Sequence, residues 1–285
     1  MNPKVGKSGE LSNLINSAIQ YSTQLYSKKF PKYIHKSKLN HIFQDGTTEI
    51  VNGAIADADD ILKSFTQKVD IKFSKVSEIT EFQNGWKVDS YFAKNVILST
   101  GAFPQILKEP YLNIRPVWGE RLDIKSSTNI YESYHKDISV SQTLNGIIRI
   151  GATHHRNILK RVSDEVEKEN LVLEAKKIIN LENIQISKSY SGVRSASFDY
   201  FPIFGKIVDS KKTIEKFPQI RNGQKYSKSE YIFYKNLSIF TGLGGYGFSL
   251  APYLAKIFID NLKKELSFSK NIEPHRFFTR WVKKR

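Results

Sequence analysis

Apolar residues recur at helical spacing in four parts of the chain. Residues 9–31 carry them on one face and end at Pro31, which predicts an amphipathic helix. The segment DADDILKSFTQ predicts a second helix with Asp57 as its N-cap. The segment DEVEKENLVLEAKKIIN predicts a third helix, and residues 249–266 predict a fourth near the C-terminus.

Between these helices, short apolar runs are bounded by turn signals, as strands are. Asp45-Gly46 marks a turn in a β-like region that ends near Gly53, and Asn84-Gly85 marks a hairpin. The segment KNVILSTGAFP predicts a buried strand followed by a turn of small residues. Strand patterns predominate from residue 112 to 200, which predicts a mainly antiparallel sheet with the third helix against it. The polar stretch 209–229 predicts a long surface loop.

Composition restricts the class of protein. The chain has 285 residues, of which 40% are hydrophobic, and this is enough to bury a sizeable core. No apolar run is long enough to cross a bilayer, and residues 1–20 lack the apolar segment of a signal peptide, so we expect a cytoplasmic protein without a membrane partner. The absence of cysteine excludes disulfides, thiolate zinc sites and a cysteine nucleophile.

The net charge is +16, and the excess is uneven. Residues 261–285 carry eight Lys and Arg against two Glu, and residues 206–235 carry eight against three acidic residues. Such patches suit a polyanion such as nucleic acid. A lysine-rich solvated surface is the alternative, and composition does not separate the two.

The segment Gly242-Leu-Gly-Gly-Tyr-Gly247 fits the pattern G-x-G-x-x-G after an apolar run. A dinucleotide-binding fingerprint also needs a second strand and an acidic residue about 20 positions further on. No apolar strand follows here, and Asp260 and Glu265 belong to the predicted helix. We therefore interpret the glycines as a turn that lets the backbone approach another group, with the N-terminus of the helix directed at it.

Other motifs give weaker signals. His154 and His155 are adjacent at the end of a predicted strand, where their side chains point to opposite sides, so no metal site is predicted. Ser249 lies in GFSLA, which lacks the G-x-S-x-G pattern of a nucleophile. The chain contains no P-loop sequence, so ATP chemistry is unsupported.

Four segments together resemble the flavin-dependent amine oxidases of the D-amino-acid oxidase and glycine oxidase superfamily. They are VNGAIADADDILKSF, NVILSTGAF, SGVRSASFDYFPIFG and FTGLGGYGFSLAPYLAKIF, and they occur in the family's order over residues 50–285. The narrower resemblance, to the oxidoreductase half of bifunctional enzymes that modify the wobble uridine of tRNA, is carried by GVRSASFDYFPIFG, RPVWGERLDI, GGYGFSLAP and EPHRFFTRW. The companion methyltransferase half is not among these residues.

The resemblance implies an α/β (α+β) fold, in which an incomplete FAD-binding Rossmann-like domain is interleaved with a mainly antiparallel substrate-binding sheet. We expect residues 1–108 to form the first part of the FAD-binding domain and 109–200 the substrate-binding sheet. Residues 201–285 would then complete the FAD-binding domain. Trp118 lies where the family's chain passes from the flavin domain back to the substrate domain, and we interpret it as a packing residue.

The resemblance also implies roles for individual residues. Arg194 would bind the substrate carboxylate, with Asp199 and Pro202 holding its loop, and Tyr246 would face the substrate. The residues expected to contact FAD are Val76 near the adenine, Thr100, Gly101 and Ala102 near the diphosphate and ribose, and Gly242, Gly244, Gly245, Gly247 and Phe248 along the ring. No metal is implied.

One departure from the family's pattern concerns the strand, G-x-G-x-x-G turn and helix that carry the FAD diphosphate. The segment NPKVGKSGEL already resembles the family's next segment, on the C-terminal side of that element, so we expect FAD binding to be weak or lost in this chain. A separate N-terminal segment or a companion methyltransferase are the partners this departure implies.

Three functions remain open. The first is oxidation of a C–N bond in a glycine-like secondary amine that bears a carboxylate, such as the 5-carboxymethylaminomethyl group of tRNA. The second is a small-molecule glycine or D-amino-acid oxidase or dehydrogenase, because the same fold serves both. The third is a flavin-free remnant or subunit that binds RNA or a partner.

Overall fold

The architecture was obtained as a computed structural model that describes residues 1–103, 106–159, 163–264 and 271–283, with the backbone alone for 261–264. The end of the predicted C-terminal helix (265–266) lies outside the described residues. So do several side chains of the basic tail, at positions 263, 264, 270, 284 and 285. No helix in the described part of the chain is long and apolar enough to cross a membrane.

The four predicted helices are confirmed, and two more are present. The described helices are α1 (Glu10–Lys29), α2 (Ala58–Thr66), α3 (Glu165–Lys176), α4 (Ser210–Lys216), α5 (Gly247–Lys264) and α6 (His275–Val282). α1 buries Ile15, Ala18 and Ile19 on one face, as its spacing predicts. Asp57 occupies the N-cap position of α2, but its side chain makes no capping hydrogen bond. Its carboxylate instead binds the side chains of Arg149 and His35.

Most of the strands are short. They are β1 (Ile34–Ile42), β2 (Thr48–Ala56), β3 (Ile79–Phe82), β4 (Gly85–Val88), β5 (Tyr91–Ala93), β6 (Val96–Leu98), β7 (Arg115–Lys125), β8 (Ser133–His135), β9 (Ser139–Val140), β10 (Ile148–Gly151), β11 (His155–Arg156), β12 (Gln185–Ala196), β13 (Ile203–Val208) and β14 (Phe233–Thr241). The longest are β7 and β12. The chain divides into two compact units, and each consists of three separate segments.

Unit 1 comprises Met1–Ile71, Val117–Val193 and Gly245–Phe258. Its sheet has the order β11-β7-β10-β9-β8-β1-β2, with β12 also paired to β7. The pairings of β7 through β11 are antiparallel, whereas β1 joins β8 in parallel. α3 contributes Leu171 and Ala175 to a buried cluster with Leu122 and Ile150 of the sheet, which confirms the predicted helix against an antiparallel sheet.

Unit 2 comprises Lys72–Pro116, Arg194–Gly244 and the described residues from Ile259 on. One sheet has the order β13-β14-β6, in which β6 runs parallel to β14, and the other has the order β3-β4-β5. Its core includes Ile203, Ile239 and Trp86, together with Phe278 from α6. The fold is therefore mixed α/β with parallel and antiparallel strands, as the sequence predicts.

The division between the units differs from the expected one. Residues 34–56 were assigned to a flavin domain, but β1 and β2 belong to the sheet of unit 1 through the pairing of Leu39 with Ser133. Unit 2 combines residues 72–103 with residues 201–244. Pairing between positions almost one hundred residues apart leaves no local signal in the sequence, and the domain bounds expected from the sequence stay a prediction.

Several local predictions also need correction. The 209–229 stretch is not a loop, because it contains α4, with Asp209 accepting a hydrogen bond from the Lys212 amide at its N-cap. α6 was missed, since it is only eight residues long and lies in a strongly basic stretch. Gly53 lies inside β2 rather than at its end. The hairpin is confirmed one residue earlier, since Phe82 pairs with Gly85.

Candidate active site in unit 2

Two neighbouring strands of unit 2 place their C-terminal ends at the same edge of the sheet. β6 and β14 are parallel, with Leu98 opposite Ile239. The turn that follows β6 contains Gly101, and the turn that follows β14 contains Gly242. The Thr241 hydroxyl donates to the carbonyl oxygen of Gly101 at 3.2 Å and joins the two turns. Ligands of α/β proteins bind at such strand ends.

Ser195 attaches the end of β12 to the same place. Its Oγ lies 3.2 Å from Thr241 Oγ1 and accepts a hydrogen bond of 3.2 Å from the Gly242 amide. Ala196 forms a bridge with Leu243 beyond it. Arg194 therefore stands one residue from the glycine turn. Sequence reasoning missed Ser195 and Thr241, because a hydroxyl in a strand carries no distinctive pattern.

Arg194 is partly buried, and this burial lowers the pKa of its guanidinium. A cation that has lost part of its hydration binds an anion more strongly than an exposed one. Its planar, two-pronged donor geometry also fits a carboxylate. The position and environment of Arg194 are thus compatible with the predicted role as a carboxylate anchor, which stays a prediction.

The glycines of the turn have different reasons to be glycine. Gly242 has a φ of +74°, and a Cβ there would lie 2.9 Å from Ile203 Cγ1, so packing and conformation both require glycine. A Cβ at Gly245 or Gly247 would have no atom within 4 Å, and neither residue has a positive φ. Glycine at the start of α5 also lowers helix propensity. The open space beside these two glycines fits a flat group lying against the backbone.

The residues present fit one end of a flavin. In unit 1, Gly245 and Gly247 offer an open glycine surface, and in unit 2, Gly101, with no atom within 4 Å of an added Cβ, offers another. A diphosphate group normally lies at the N-terminus of a helix that follows a strand through a glycine-rich turn. Within the described ranges, α5 alone follows a strand in this way. The described residues therefore provide a surface for the ring and no second turn of this kind for the diphosphate.

All predicted residues of this region from Gly245 on, including Tyr246 and Phe248, belong to unit 1. Tyr246 lies in a 3-10 turn (Gly244–Tyr246), and Lys4 Nζ lies 5.2 Å from its ring centroid. The Phe248 carbonyl accepts a 2.9 Å hydrogen bond from Tyr26, and the two rings are packed 6.1 Å apart. Phe248 thus anchors the start of α5 to α1 through its side chain, and its predicted contact with the cofactor stays a prediction.

Other predicted cofactor residues lie in different surroundings. Val76 was expected in a strand, but residues 72–78 form none, and β3 begins at Ile79. Thr100 and Ala102 follow β6, and Ala102 is buried. β6 is itself an edge strand of the described sheet with Ile97 48% exposed, so the expected fully buried strand is wrong on one face.

Asp199 and Arg276 form an ion pair that the sequence did not predict. Arg276 Nε and Nη2 donate to the two carboxylate oxygens at 2.9 and 3.1 Å, and Nη2 also reaches the Phe201 carbonyl. The pair fixes α6 to the loop after β12, five residues from Arg194. The tail EPHRFFTRW was noted for its resemblance, but the partner of its arginine follows only from the tertiary structure.

The two adjacent histidines show no metal-binding arrangement. His155 Nε2 lies 2.7 Å from Glu167 Oε1 on α3. No group of three or more metal-ligating side chains is present among the residues described here.

Curated proteins that are similar to this chain share one description. They are tRNA 5-methylaminomethyl-2-thiouridine biosynthesis bifunctional proteins. The protein from Campylobacter fetus is 20% identical over 79% of this chain and 40% of its own length. Those from Dichelobacter nodosus and Vibrio cholerae are 23% and 26% identical, over 72% and 58% of this chain and 35% and 25% of their own lengths. The chain therefore spans at most two fifths of these three relatives.

Solved structures similar to this chain are amine-oxidising enzymes. Glycine oxidase from Geobacillus kaustophilus has a TM-score of 0.70 at 14% identity, over 92% of this chain and 81% of that enzyme. L-proline dehydrogenase from P. horikoshii has 0.71 at 13% identity, over 95% and 86%. Iminodiacetate oxidase from Chelativorans sp. BNC1 has 0.70 at 13%, over 95% and 86%. At these identities the likeness establishes a shared fold.

The sequence pattern of the DAO family, described as FAD dependent oxidoreductase, matches residues 49–261. This range covers well over half of the chain and includes β6, β12, β14 and the glycine turn. It agrees with the resemblance found in the sequence and with the fold of the amine oxidases. The chain belongs to the DAO family of FAD-dependent oxidoreductases.

Proposed function

We propose that this chain oxidises the C–N bond of an N-substituted glycine, and that its substrate is the 5-carboxymethylaminomethyl group of a wobble uridine in tRNA. The observation that carries the proposal is the position of Arg194. Its neighbour Ser195 is bonded to Gly242 and Thr241, so the backbone at Arg194 lies beside the strand ends that carry Gly101 and Gly242, and its long side chain leaves β12 on the face opposite to Ser195. A glycine-like amine has its reactive methylene next to its carboxylate.

The chemistry follows from this placement. FAD, when bound, would supply the oxidant for a hydride leaving the methylene carbon between the nitrogen and the carboxylate. With loss of the proton on nitrogen, the C–N single bond would become an imine, which water would hydrolyse to glyoxylate and a primary amine on the uridine. Arg194 binds the carboxylate and orients the methylene, and its partly desolvated guanidinium strengthens this contact. The primary amine would then be the substrate of a methyltransferase.

The charge and the relatives favour tRNA over a free amino acid. The net charge is +16, and seven of the eight cations in residues 206–235 are exposed. The relatives from Campylobacter fetus and Dichelobacter nodosus are tRNA-modification proteins by description. A small amino acid is the second candidate, because Arg194 would bind its carboxylate equally well.

FAD binding is proposed to be weak in this chain, because the described residues offer a surface for the ring and no glycine turn for the diphosphate. A titration of the 285-residue protein with FAD, followed by flavin fluorescence, measures the affinity. We expect the flavin to be lost on desalting and regained when FAD is added. Stoichiometric FAD after desalting would contradict the weak-binding proposal.

The substrate is tested by anaerobic reduction of the flavin with FAD in excess. We expect tRNA that carries 5-carboxymethylaminomethyl-2-thiouridine to bleach the flavin band and to release one glyoxylate for each flavin reduced. The same experiment is carried out with iminodiacetate, a small molecule that contains the same N-carboxymethyl group. Bleaching by iminodiacetate or glycine without any by tRNA would favour the second candidate, and bleaching by none would contradict both.

A further inference from the structure

An aromatic pair with a shared cation follows the strand that carries Arg194. The guanidinium carbon of Arg115 lies 5.0 Å from the ring centroid of Phe198 and 5.2 Å from that of Tyr200. Arg115 is held in turn by a 3.0 Å hydrogen bond from Nη2 to the Ser197 carbonyl. We name Arg115, Phe198 and Tyr200 the aromatic platform. All three residues belong to unit 2, like Arg194.

The platform is fixed but not covered. Phe198 is 50% exposed and Tyr200 is 55% exposed, so about half of each residue faces solvent. The Nε of Arg115 is buried and has no hydrogen-bond partner among the described residues. Tyr200 also has a φ of +66°, a conformation that aromatic residues rarely adopt and that clusters at functional sites. Contacts among the described residues, including those with Arg115, leave both rings about half exposed.

Cations stand directly beside the platform. Asp199, between the two aromatic residues, binds Arg276 of α6 and lies 3.6 Å from Arg280 Nη1. The side chain of Arg280 is 66% exposed, and Lys283 at the end of α6 is also exposed. α6 is in contact with the basic stretch 206–235 through Tyr231, which packs on Phe278, and Glu273 just before the helix pairs with Lys228. The exposed rings thus lie next to a surface of exposed positive charge.

We infer that the aromatic platform stacks an unpaired nucleobase of the RNA substrate, with the neighbouring phosphates on the exposed cations of α6. This inference rests on the proposed function and assigns RNA-binding residues to it. Single-stranded RNA loops are recognised by stacking of splayed bases on aromatic rings and arginine planes. Phosphates are bound by adjacent Lys and Arg side chains. A loop RNA meets both requirements, whereas a free amino acid has no base to stack.

The test is binding of a labelled, unmodified anticodon stem–loop RNA to the full chain, measured by fluorescence anisotropy over a series of salt concentrations. Phe198→Leu and Tyr200→Leu keep apolar volume and remove a ring. We expect each to weaken binding on the order of 5- to 100-fold with an unchanged salt dependence. Arg280→Gln should instead lower the log–log salt slope by about one.

The control variants either retain an aromatic ring in the platform or replace an exposed tyrosine outside it. Phe198→Tyr and Tyr200→Phe should bind within about twofold of the unmodified chain, since stacking requires the ring and not its hydroxyl. Tyr91 in β5 is exposed to the same extent as Tyr200, at 55%, so Tyr91→Leu is a matched control and should also leave binding unchanged. Thermal melts confirm that each variant is folded, and the ring-retaining variants decide the case if a leucine variant melts early.

Each result decides the inference. Unchanged affinity in both leucine variants, or an equal loss in Tyr91→Leu, overturns the platform while the proposed function stands on its flavin-reduction test. Failure of the unmodified chain to bind the RNA at low salt overturns the platform and the choice of tRNA together. Loss in the leucine variants with rescue by the ring-retaining variants supports it.

Discussion

At the residue scale, a substitution of Arg194 tests whether this side chain binds the substrate carboxylate. Arg194→Lys keeps the positive charge but loses the bidentate geometry. We expect kcat/KM for the N-carboxymethyl substrate to fall roughly 10- to 100-fold, which corresponds to about 1.5–3 kcal/mol of charged hydrogen bonding. Arg156→Lys, at an exposed arginine of β11 in unit 1, is the matched control. Activity within about twofold of the unmodified chain would end the anchor role.

Substitutions at Gly242 and Gly245 distinguish a glycine that the backbone conformation requires from one that the predicted cofactor contact requires. Gly245→Val adds a side chain in open space, so we expect unchanged unfolding by urea and weaker FAD binding in a fluorescence titration. Gly242→Ala places a Cβ 2.9 Å from Ile203 Cγ1 and strains a φ of +74°, so it should destabilise the protein by about 1–3 kcal/mol. Equal FAD affinity in Gly245→Val would show that the open side of this turn does not face the cofactor.

At the scale of the secondary-structure elements, the attachment of α6 depends on the ion pair between Arg276 and Asp199. The side chains of Arg276 and Asp199 are 9% and 20% exposed, so removing one partner leaves a largely buried charge. We expect Arg276→Ala to lower the free energy of unfolding by on the order of 3 kcal/mol. Lys177→Ala, which breaks an exposed pair with Glu174, should cost about 0.5 kcal/mol or less. Urea unfolding at neutral pH measures both, and equal effects would contradict the account.

The same pair predicts the direction of a pH dependence. Burial raises the pKa of Asp199, but the hydrogen bonds and charge of Arg276 outweigh it, so the pKa lies below its ordinary value. A depressed carboxyl pKa contributes stability above the ordinary value of about 3.9, and this contribution is lost as the pH falls through the lower, folded-state value. Asp199→Asn should therefore flatten the acid limb of the stability curve. If the acid limb is unchanged in Asp199→Asn, protonation of Asp199 is not what destabilises the protein at low pH.

The elements that could be predicted are those with a local cause. α1 and the β3–β4 hairpin follow from side-chain spacing and turn residues, and the glycine turn before α5 follows from composition. α6 escaped because it is only eight residues long in a stretch dominated by positive charge, and its Phe277 and Phe278 become buried only in the core of unit 2. The Ser195–Thr241 link joins residues 46 positions apart and leaves no pattern along the chain.

The charge of the whole molecule predicts how it binds RNA. With a net charge of +16, phosphate contacts should dominate affinity and make it steeply salt-dependent. We expect a log–log slope of several units for tRNA binding, measured by filter retention between low and moderate salt. A slope near zero would mean that the exposed lysines form a solvated surface without a polyanion partner.

One measurement tests the central claim most directly. The full chain, with FAD supplied in excess, is incubated with tRNA carrying 5-carboxymethylaminomethyl-2-thiouridine, and the nucleosides and released acids are analysed by mass spectrometry. The account predicts conversion to 5-aminomethyl-2-thiouridine with an equal amount of glyoxylate, and a roughly 10- to 100-fold slower formation of both products in Arg194→Lys. Unchanged tRNA under conditions in which the same preparation oxidises iminodiacetate or glycine would contradict it.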